Sequence, residues 1–175
     1  MTDHSLSAEQ LHFAWDDSLS PTLEIDPGDT VTIETWDAGG HTLTRHSTSA
    51  DMKPRPAKGH ALTGPIAIHG AGPGDTLVID ILEVKPNSWG YTSFVPGRGL
   101  LPDDFTAAYL RIWEMDGRVA RGVPGATVPL APFCGVMGVA LAIVLAIAVA
   151  VVLELLHLVV AVSSGRSVRC IASAS

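Results

Sequence analysis

The segment PGDTVTI at residues 27–33 returns almost unchanged as PGDTLVI at residues 73–79. Proline fixes φ at the first turn position, and glycine supplies the positive φ that the next position of a type II turn requires. In the first copy, the residues after the turn alternate between apolar and polar side chains, which is the period of a half-buried strand. Each copy therefore predicts a turn followed by a β-strand, with Gly28 and Gly74 at positive φ.

Strand-like segments also precede both turns, at residues 22–25 and 66–68. We therefore expect each turn to close an antiparallel β-hairpin. The strand after the second turn, residues 77–84, has apolar side chains on both faces, which predicts a position near the centre of a sheet. Together these patterns predict an all-β fold, an antiparallel β-sandwich or a barrel-like domain.

Residues 129–140, PLAPFCGVMGVA, divide the chain by composition. All 12 prolines lie at or before Pro132, and 16 of the 17 glycines lie at or before Gly138. Of the 29 Asp, Glu, Lys and Arg residues, 26 also lie before Val139. The composition predicts a β domain over residues 1–138 and a hydrophobic helical tail over residues 139–175.

Five motifs follow one another along the chain: HFAWDDS (12–18), PGDTVTIET (27–35), HALTGPIAI (60–68), GAGPGDTLVIDI (70–81) and APFCGVMGVA (131–140). In this order they resemble the acetamidase/formamidase family. The resemblance covers about the first 140 residues and ends at Leu141, where the family pattern continues with a Pro/Gly-rich stretch. It implies hydrolysis of a short linear amide, such as formamide or acetamide, to ammonia and the carboxylate.

The tail admits two explanations. Residues 139–162 are interrupted only by Glu154 and His157, and a helix of that length would span about 36 Å, enough for a membrane anchor. A glutamate inside the span would be costly. The alternative, which we favour, is a shift of reading frame near codon 140 that replaced the second half of the family pattern. Membrane association through residues 139–162 is the partner that the anchor explanation predicts.

The net charge of −7 and the lack of a Lys/Arg cluster argue against a nucleic-acid partner. The N-terminal residues show no basic region followed by an apolar run, so we expect a cytoplasmic protein, or a membrane-anchored one if the tail is an anchor. Cys134 and Cys170 are expected to be free thiols, because the chain shows no export signal.

Amide hydrolysis requires a group that polarises the carbonyl and an activated nucleophile. His12 and Asp16 could hold one divalent metal, such as zinc, but on a straight strand they would lie about 13 Å apart. The backbone must therefore bend between them, and a turn at residues 15–17 would achieve this. On spacing alone, a strand-end histidine and a solvated aspartate pair are the better explanation, and only the family resemblance of HFAWD makes the metal site an equal alternative.

The resemblance gives His60, which opens the HALTGP motif, the strongest claim to a catalytic role. Asp37, in the loop after the first repeated strand, is a weaker candidate metal ligand. Cys134 is not expected to be the nucleophile, since no histidine lies near it in sequence. The resemblance also implies a small amide as substrate and a homo-oligomer in the intact family. We expect residues 1–175 alone to be poorly active.

A second function class is a cupredoxin-like copper site. The segment LEIDPGDTVTIETWDAGGHTLT would then supply His41 as a ligand, with Cys134 and Met137 as its partners. Such sites use two histidines, a cysteine thiolate and an axial methionine. Here Gly135 and Val136 stand between the cysteine and the methionine, where that family has a histidine, so one ligand is missing.

Overall fold

The computed structural model describes residues 1–52, 59–97 and 101–139, together with three later strands. Within that part, the only helical element is a 3₁₀ turn at Ser49–Asp51. The all-β prediction is confirmed. The strands are β1 (Asp3–Leu6), β2 (Leu11–His12), β3 (Leu23–Ile25), β4 (Thr30–Ile33), β5 (Leu62–Ile68), β6 (Leu77–Pro86), β7 (Trp89–Phe94), β8 (Tyr109–Met115), β9 (Val119–Arg121), β10 (Val128–Pro129), β11 (Pro132–Val139), β12 (Ala146–Leu155), β13 (Leu158–Val162) and β14 (Gly165–Ala174).

The strands form three sheets. The first sheet has the order β1-β4-β14-β6 and the second has the order β11-β12-β5-β2, with β3 beside β5 and β13 beside β12. The third sheet has the order β10-β9-β8-β7. Pairing is mixed rather than purely antiparallel, because β1 and β4 are parallel, as are β3 and β5. The main core joins the first two sheets through Leu6, Ile25, Val31, Ile33, Ile66, Ile68 and Cys170.

Both predicted turns are present. Gly28 has φ +89° and Gly74 has φ +101°. The hairpin prediction is wrong, however, because the strands that flank each turn do not pair with each other. Each turn instead carries the chain from the second sheet to the first, from β3 to β4 and from β5 to β6. The pairing partners come from distant parts of the chain, which local sequence does not encode.

The prediction of a central position for residues 77–84 is also wrong. Strand β6 lies at the edge of the first sheet, paired with β14, and its Val78, Ile81 and Leu82 side chains are exposed. Among the strands whose side chains the structure describes, β5 is buried throughout, at all seven residues. Strand β14 separates β4 from β6 and is antiparallel to both, so the two repeated strands run in the same direction.

The predicted hydrophobic helix over residues 139–162 is wrong. Val139 ends β11, and β12 and β13 occupy residues 146–155 and 158–162. An apolar run without helical periodicity fits a buried strand as well as a buried helix, and the valine-rich composition of this run favours a strand. Across the residues placed in the structure, no helix is long and apolar enough to cross a membrane. Membrane association and the shift of reading frame stay predictions.

The third sheet supports the loop that follows β4. Leu43 from that loop packs with Trp89 and Tyr91 of β7 and with Leu110 of β8 in a separate buried cluster. The loop is therefore held between the first and third sheets. This arrangement fixes the backbone on either side of Asp37, one of the predicted site residues.

Candidate active site

His12 lies at the end of β2 and presents one ring nitrogen in an unusual state. Its Nδ1 is 2.8 Å from the carbonyl oxygen of Ala14. Because a carbonyl only accepts, Nδ1 carries the proton of the neutral ring, and the lone pair is on Nε2. Nε2 is buried and has no hydrogen-bond partner among the described residues. Buried polar atoms are rarely left unpaired, so this nitrogen is a candidate position for a proton, a metal ion or a substrate.

Asp16 follows a bend in the chain, as a shared site with His12 requires. Strand β2 ends at His12, and the N–H of Leu19 closes a turn on the carbonyl of Asp16. The Asp16 carboxylate accepts bonds from the hydroxyl and the N–H of Ser18, at 2.6 and 2.9 Å. These bonds lower the pKa of Asp16, and attraction to His12 lowers it further. The Asp16 side chain is exposed, whereas Nε2 of His12 is buried.

Asp37 is buried and organises a turn of its own. Its carboxylate accepts the N–H of Gly39, and its carbonyl accepts the N–H of Gly40 at 2.8 Å. The hydroxyl of Tyr91 donates to the same carboxylate oxygen over 3.3 Å. A buried carboxylate is tolerated only when hydrogen bonds satisfy it, and these donors hold Asp37 in one orientation.

His60 is exposed, but its neighbours are held against the other segments. A Cβ atom added at Gly59 would lie 2.3 Å from the carbonyl oxygen of Phe13, so only glycine fits there. The next residue, Ala61, donates its N–H to the carbonyl of Ala38 over 3.4 Å. His60 is thus placed between a contact with the His12 segment and a contact with the Asp37 turn.

Three segments therefore meet: residues 12–16, 37–40 and 59–61, which we name the candidate site. A Cβ built on Gly40 would lie 3.8 Å from both the Phe13 ring and the Cβ of Ala61, which places all three segments in contact. Strand β11 closes one side, where a Cβ added at Gly138 would lie 2.9 Å from the indole of Trp15. Phe13 and Trp15 remain partly exposed and give the site an apolar rim.

The candidate site does not assemble a complete set of metal ligands from described residues. In that part of the chain, no group of three or more His, Cys, Asp and Glu side chains could hold a metal ion. His12 and Asp16 lie on either side of a bend at residues 13–14, whereas His60 and Asp37 approach the site through their backbone neighbours. Sequence reasoning missed Tyr91, since a tyrosine in a strand carries no signal of a buried aspartate 54 positions away.

The residues suggested for a copper site are not brought together. Met137 is exposed, whereas Cys134 packs against the main core. The His41 ring stacks instead on Trp36, with ring centroids 4.1 Å apart. The cysteines are free thiols as predicted, and burial raises the pKa of Cys134 and raises that of Cys170 to about 11. Neither thiol is therefore a ready nucleophile.

Comparison with known proteins identifies the family. A model of the Acetamidase/Formamidase family matches residues 2–151. The chain belongs to this family. The match contains every segment of the candidate site, including β11. Residues beyond 151 lie outside the matched region.

Two curated relatives show how much of the family is represented. The formamidase of Methylophilus methylotrophus is 32% identical over 124 residues, which are 66% of this chain and 30% of that protein. The acetamidase of Mycolicibacterium smegmatis is 31% identical over 143 residues, which are 70% of this chain and 35% of that protein. The chain spans about a third of the length of these relatives.

Solved structures share the fold, in one case over more of this chain than the curated relatives match in sequence. A predicted acetamidase/formamidase from Thermoanaerobacter tengcongensis superposes with a TM-score of 0.89 at 18% identity and covers 99% of this chain and 69% of its own. A gamma lactamase from Delftia acidovorans gives a TM-score of 0.70 at 27% identity, over 74% of this chain and 34% of its own. The first of these comparisons shows that the strands after residue 139 belong to a known fold.

Proposed function

We propose that this chain carries part of the active site of an amide hydrolase that converts short linear amides, such as formamide or acetamide, to ammonia and the carboxylate. The supporting observation is the buried, unpaired Nε2 of His12 within a segment that matches the family. A polar nitrogen of this kind has a chemical use, because its lone pair can accept a proton from an attacking water or bind a metal ion.

The state of His12 fits a divalent metal such as zinc. Metal-ligating histidines commonly donate their second N–H to a carbonyl or carboxylate, which fixes the tautomer, and Nδ1 of His12 does so to Ala14. His12 and Asp16 would hold the ion; Asp37, predicted as a third ligand, closes its own turn and, among the described residues, forms no metal-binding group of three with them. When bound, such an ion polarises the amide carbonyl and lowers the pKa of a bound water.

The remaining residues have separate proposed roles. His60 is exposed beside the site, where it can exchange protons with solvent and deliver one to the leaving amine. The Phe13 and Trp15 rings form an apolar rim at which the short acyl chain of an amide can pack.

The first test of the site measures the binding of Zn(II) and formamide. We expect Zn(II) and formamide to bind the wild-type chain in calorimetry and in saturation-transfer NMR, and His12→Ala to abolish both signals. His46→Ala is the matched control, since His46 is an exposed histidine of the loop after β4. Absence of Zn(II) and formamide binding in the wild type, or full binding by His12→Ala, would overturn the proposal.

Turnover is expected to be weak. Ammonia release by this chain should lie well below that of the Methylophilus formamidase assayed in parallel, because the described residues bring together no group of three ligands. Any Zn(II)-dependent release should disappear in His60→Ala and persist in His46→Ala. Release at the rate of the full-length relative would show that this chain is sufficient for activity.

A further inference from the structure

We propose that Tyr91 is a positioning residue for the candidate site and acts through Asp37; this inference rests on the proposed function. Tyr91 lies on β7 in the third sheet, whereas Asp37 follows β4 of the first sheet. Both side chains are only 2% exposed. Their hydrogen bond is therefore a polar link between two sheets, away from solvent.

The hydrogen bond from Tyr91 ends on the Asp37 turn, which is part of the candidate site. The carboxylate oxygen that accepts the Tyr91 hydroxyl also accepts the N–H of Gly39. The Gly40 N–H then bonds the Asp37 carbonyl over 2.8 Å. Tyr91 thus restrains the carboxylate that closes the turn. A change in that carboxylate would alter the path of both glycines.

The Asp37 turn also fixes the segment that carries His12. A Cβ added at Gly40 would meet the Phe13 ring and the Cβ of Ala61 at van der Waals distance, and the Ala61 N–H bonds the carbonyl of Ala38 in the same turn. Phe13 and Ala61 adjoin His12 and His60 in sequence. A displaced turn would release the Phe13 ring and the backbone that follows His12. Tyr91 itself need not touch a substrate or a metal ion for this effect.

The tyrosine ring has a separate packing role, so the hydroxyl must be tested alone. The ring packs with Leu43, Trp89 and Leu110. At 3.3 Å the hydroxyl bond is long for an O–H donor, so we expect a moderate effect from its loss. Tyr91→Phe removes the bond and keeps the ring in its cluster.

Thr92→Val provides the matched control on the same strand. It removes the acceptor of the Trp113 indole N–H, a bond of 2.8 Å that lies outside the candidate site. Both variants lose one side-chain hydrogen bond. Only Tyr91→Phe loses one that leads to the Asp37 turn.

The experiment is amide hydrogen exchange by NMR, with Zn(II) affinity measured on the same samples. We expect Tyr91→Phe to accelerate exchange at Gly39 and Gly40 by about threefold to tenfold relative to the Met115 amide in the third sheet. Zn(II) affinity should fall by about tenfold. Thr92→Val should change neither the relative exchange nor the affinity.

Each outcome decides the proposal. If Tyr91→Phe accelerates exchange uniformly, as Thr92→Val does, Tyr91 is structural only and the proposal is wrong. If exchange changes at the two glycines but Zn(II) affinity does not, Tyr91 positions the turn without acting on the site, which also overturns it. If the wild type binds no Zn(II), the proposed metal site fails, and formamide affinity replaces Zn(II) affinity as the readout: selective exchange at Gly39 and Gly40 with weaker formamide binding by Tyr91→Phe supports the proposal, and unchanged formamide binding overturns it.

Discussion

The two copies of the Pro-Gly-Asp-Thr turn have the same backbone and different surroundings. In each, the aspartate N–H bonds the carbonyl three residues earlier at 3.1 Å, and the aspartate carboxylate accepts the N–H of that earlier residue. Asp29 of the first turn is nevertheless 4% exposed and also accepts bonds from the Thr2 N–H and the His4 ring. Asp75 of the second turn is exposed. Local sequence therefore determines the turn, and tertiary contacts determine how much it stabilises the fold.

Strand β1 makes the difference between the two turns. It pairs in parallel with β4 and places Thr2 and His4 over Asp29. The strand after the second turn, β6, pairs with β14. The N-terminal segment thus converts one copy of a shared turn into a buried polar cluster.

The largest predicted effect is shared by both turns and comes from the glycines. Gly28→Val and Gly74→Val should each lower the free energy of unfolding by about 1–3 kcal/mol, because a β-branched residue is strained at positive φ. Neither site has a heavy atom within 4 Å of an added Cβ, so crowding does not contribute. Gly72→Val is the control, since Gly72 is equally open and lacks a positive φ. Equal losses in all three variants, measured by urea unfolding, would contradict this explanation.

The next prediction separates the two turns. Asp29→Asn should lower the melting temperature by several degrees, because it weakens the bonds that the buried Asp29 carboxylate accepts from His4 and Thr2. Asp75→Asn should have a small effect, since its side chain is exposed. Thermal unfolding of the two variants side by side measures the contrast, and similar shifts would show that burial by β1 does not matter.

Acid should reduce the contribution of Asp29 to the stability of the fold. The bond from His4, followed by that from Thr2, lowers the pKa of Asp29 from 3.8 to about 2. A carboxylate with a lowered pKa in the folded state contributes stability that is present above pH 3.8 and lost as the pH falls through about 2. The difference in melting temperature between wild type and Asp29→Asn should therefore shrink over that range. A difference independent of pH would assign the effect to packing.

The smallest predicted effect concerns the contact between the first turn and the end of β5. His69, at the end of β5, bonds Asp26 of the first turn at 2.8 Å and Glu24 at 3.2 Å, and these bonds raise its pKa above 6.5. A raised histidine pKa contributes stability that is complete below pH 6.5 and lost as the pH rises through the raised value. Because all three side chains are exposed, the effect should be small. His69→Gln should flatten the dependence of melting temperature on pH above 6.5, with His46→Gln as control.

The sequence could predict the elements that depend on neighbouring residues. The turns at Gly28 and Gly74 and the alternating strand β4 follow from local geometry and are confirmed. Hairpin pairing was predicted wrongly because the two strands that flank each turn lie in different sheets and pair with strands from distant parts of the chain. The helix was predicted wrongly because residues 146–162 have no helical or strand period that would distinguish the two.

The candidate site was predictable only in part for the same reason. Family motifs pointed to His12, Asp16 and His60, and the structure supplied the bend that His12 and Asp16 need. The unpaired state of Nε2 depends on the fold around it and leaves no trace in sequence. The link from Tyr91 to Asp37 joins different sheets, so neither motif nor spacing indicates it.

The central claim is that His12 presents a buried Nε2 lone pair for chemistry. Long-range ¹H–¹⁵N NMR of the histidine rings, recorded with and without Zn(II), tests it most directly. We predict that His12 is protonated on Nδ1 and that Zn(II) shifts its Nε2 resonance, more weakly in Asp16→Asn, while His46 is unaffected. A proton on Nε2 of the neutral ring, or an Nε2 resonance that saturating Zn(II) leaves unchanged, would contradict the account.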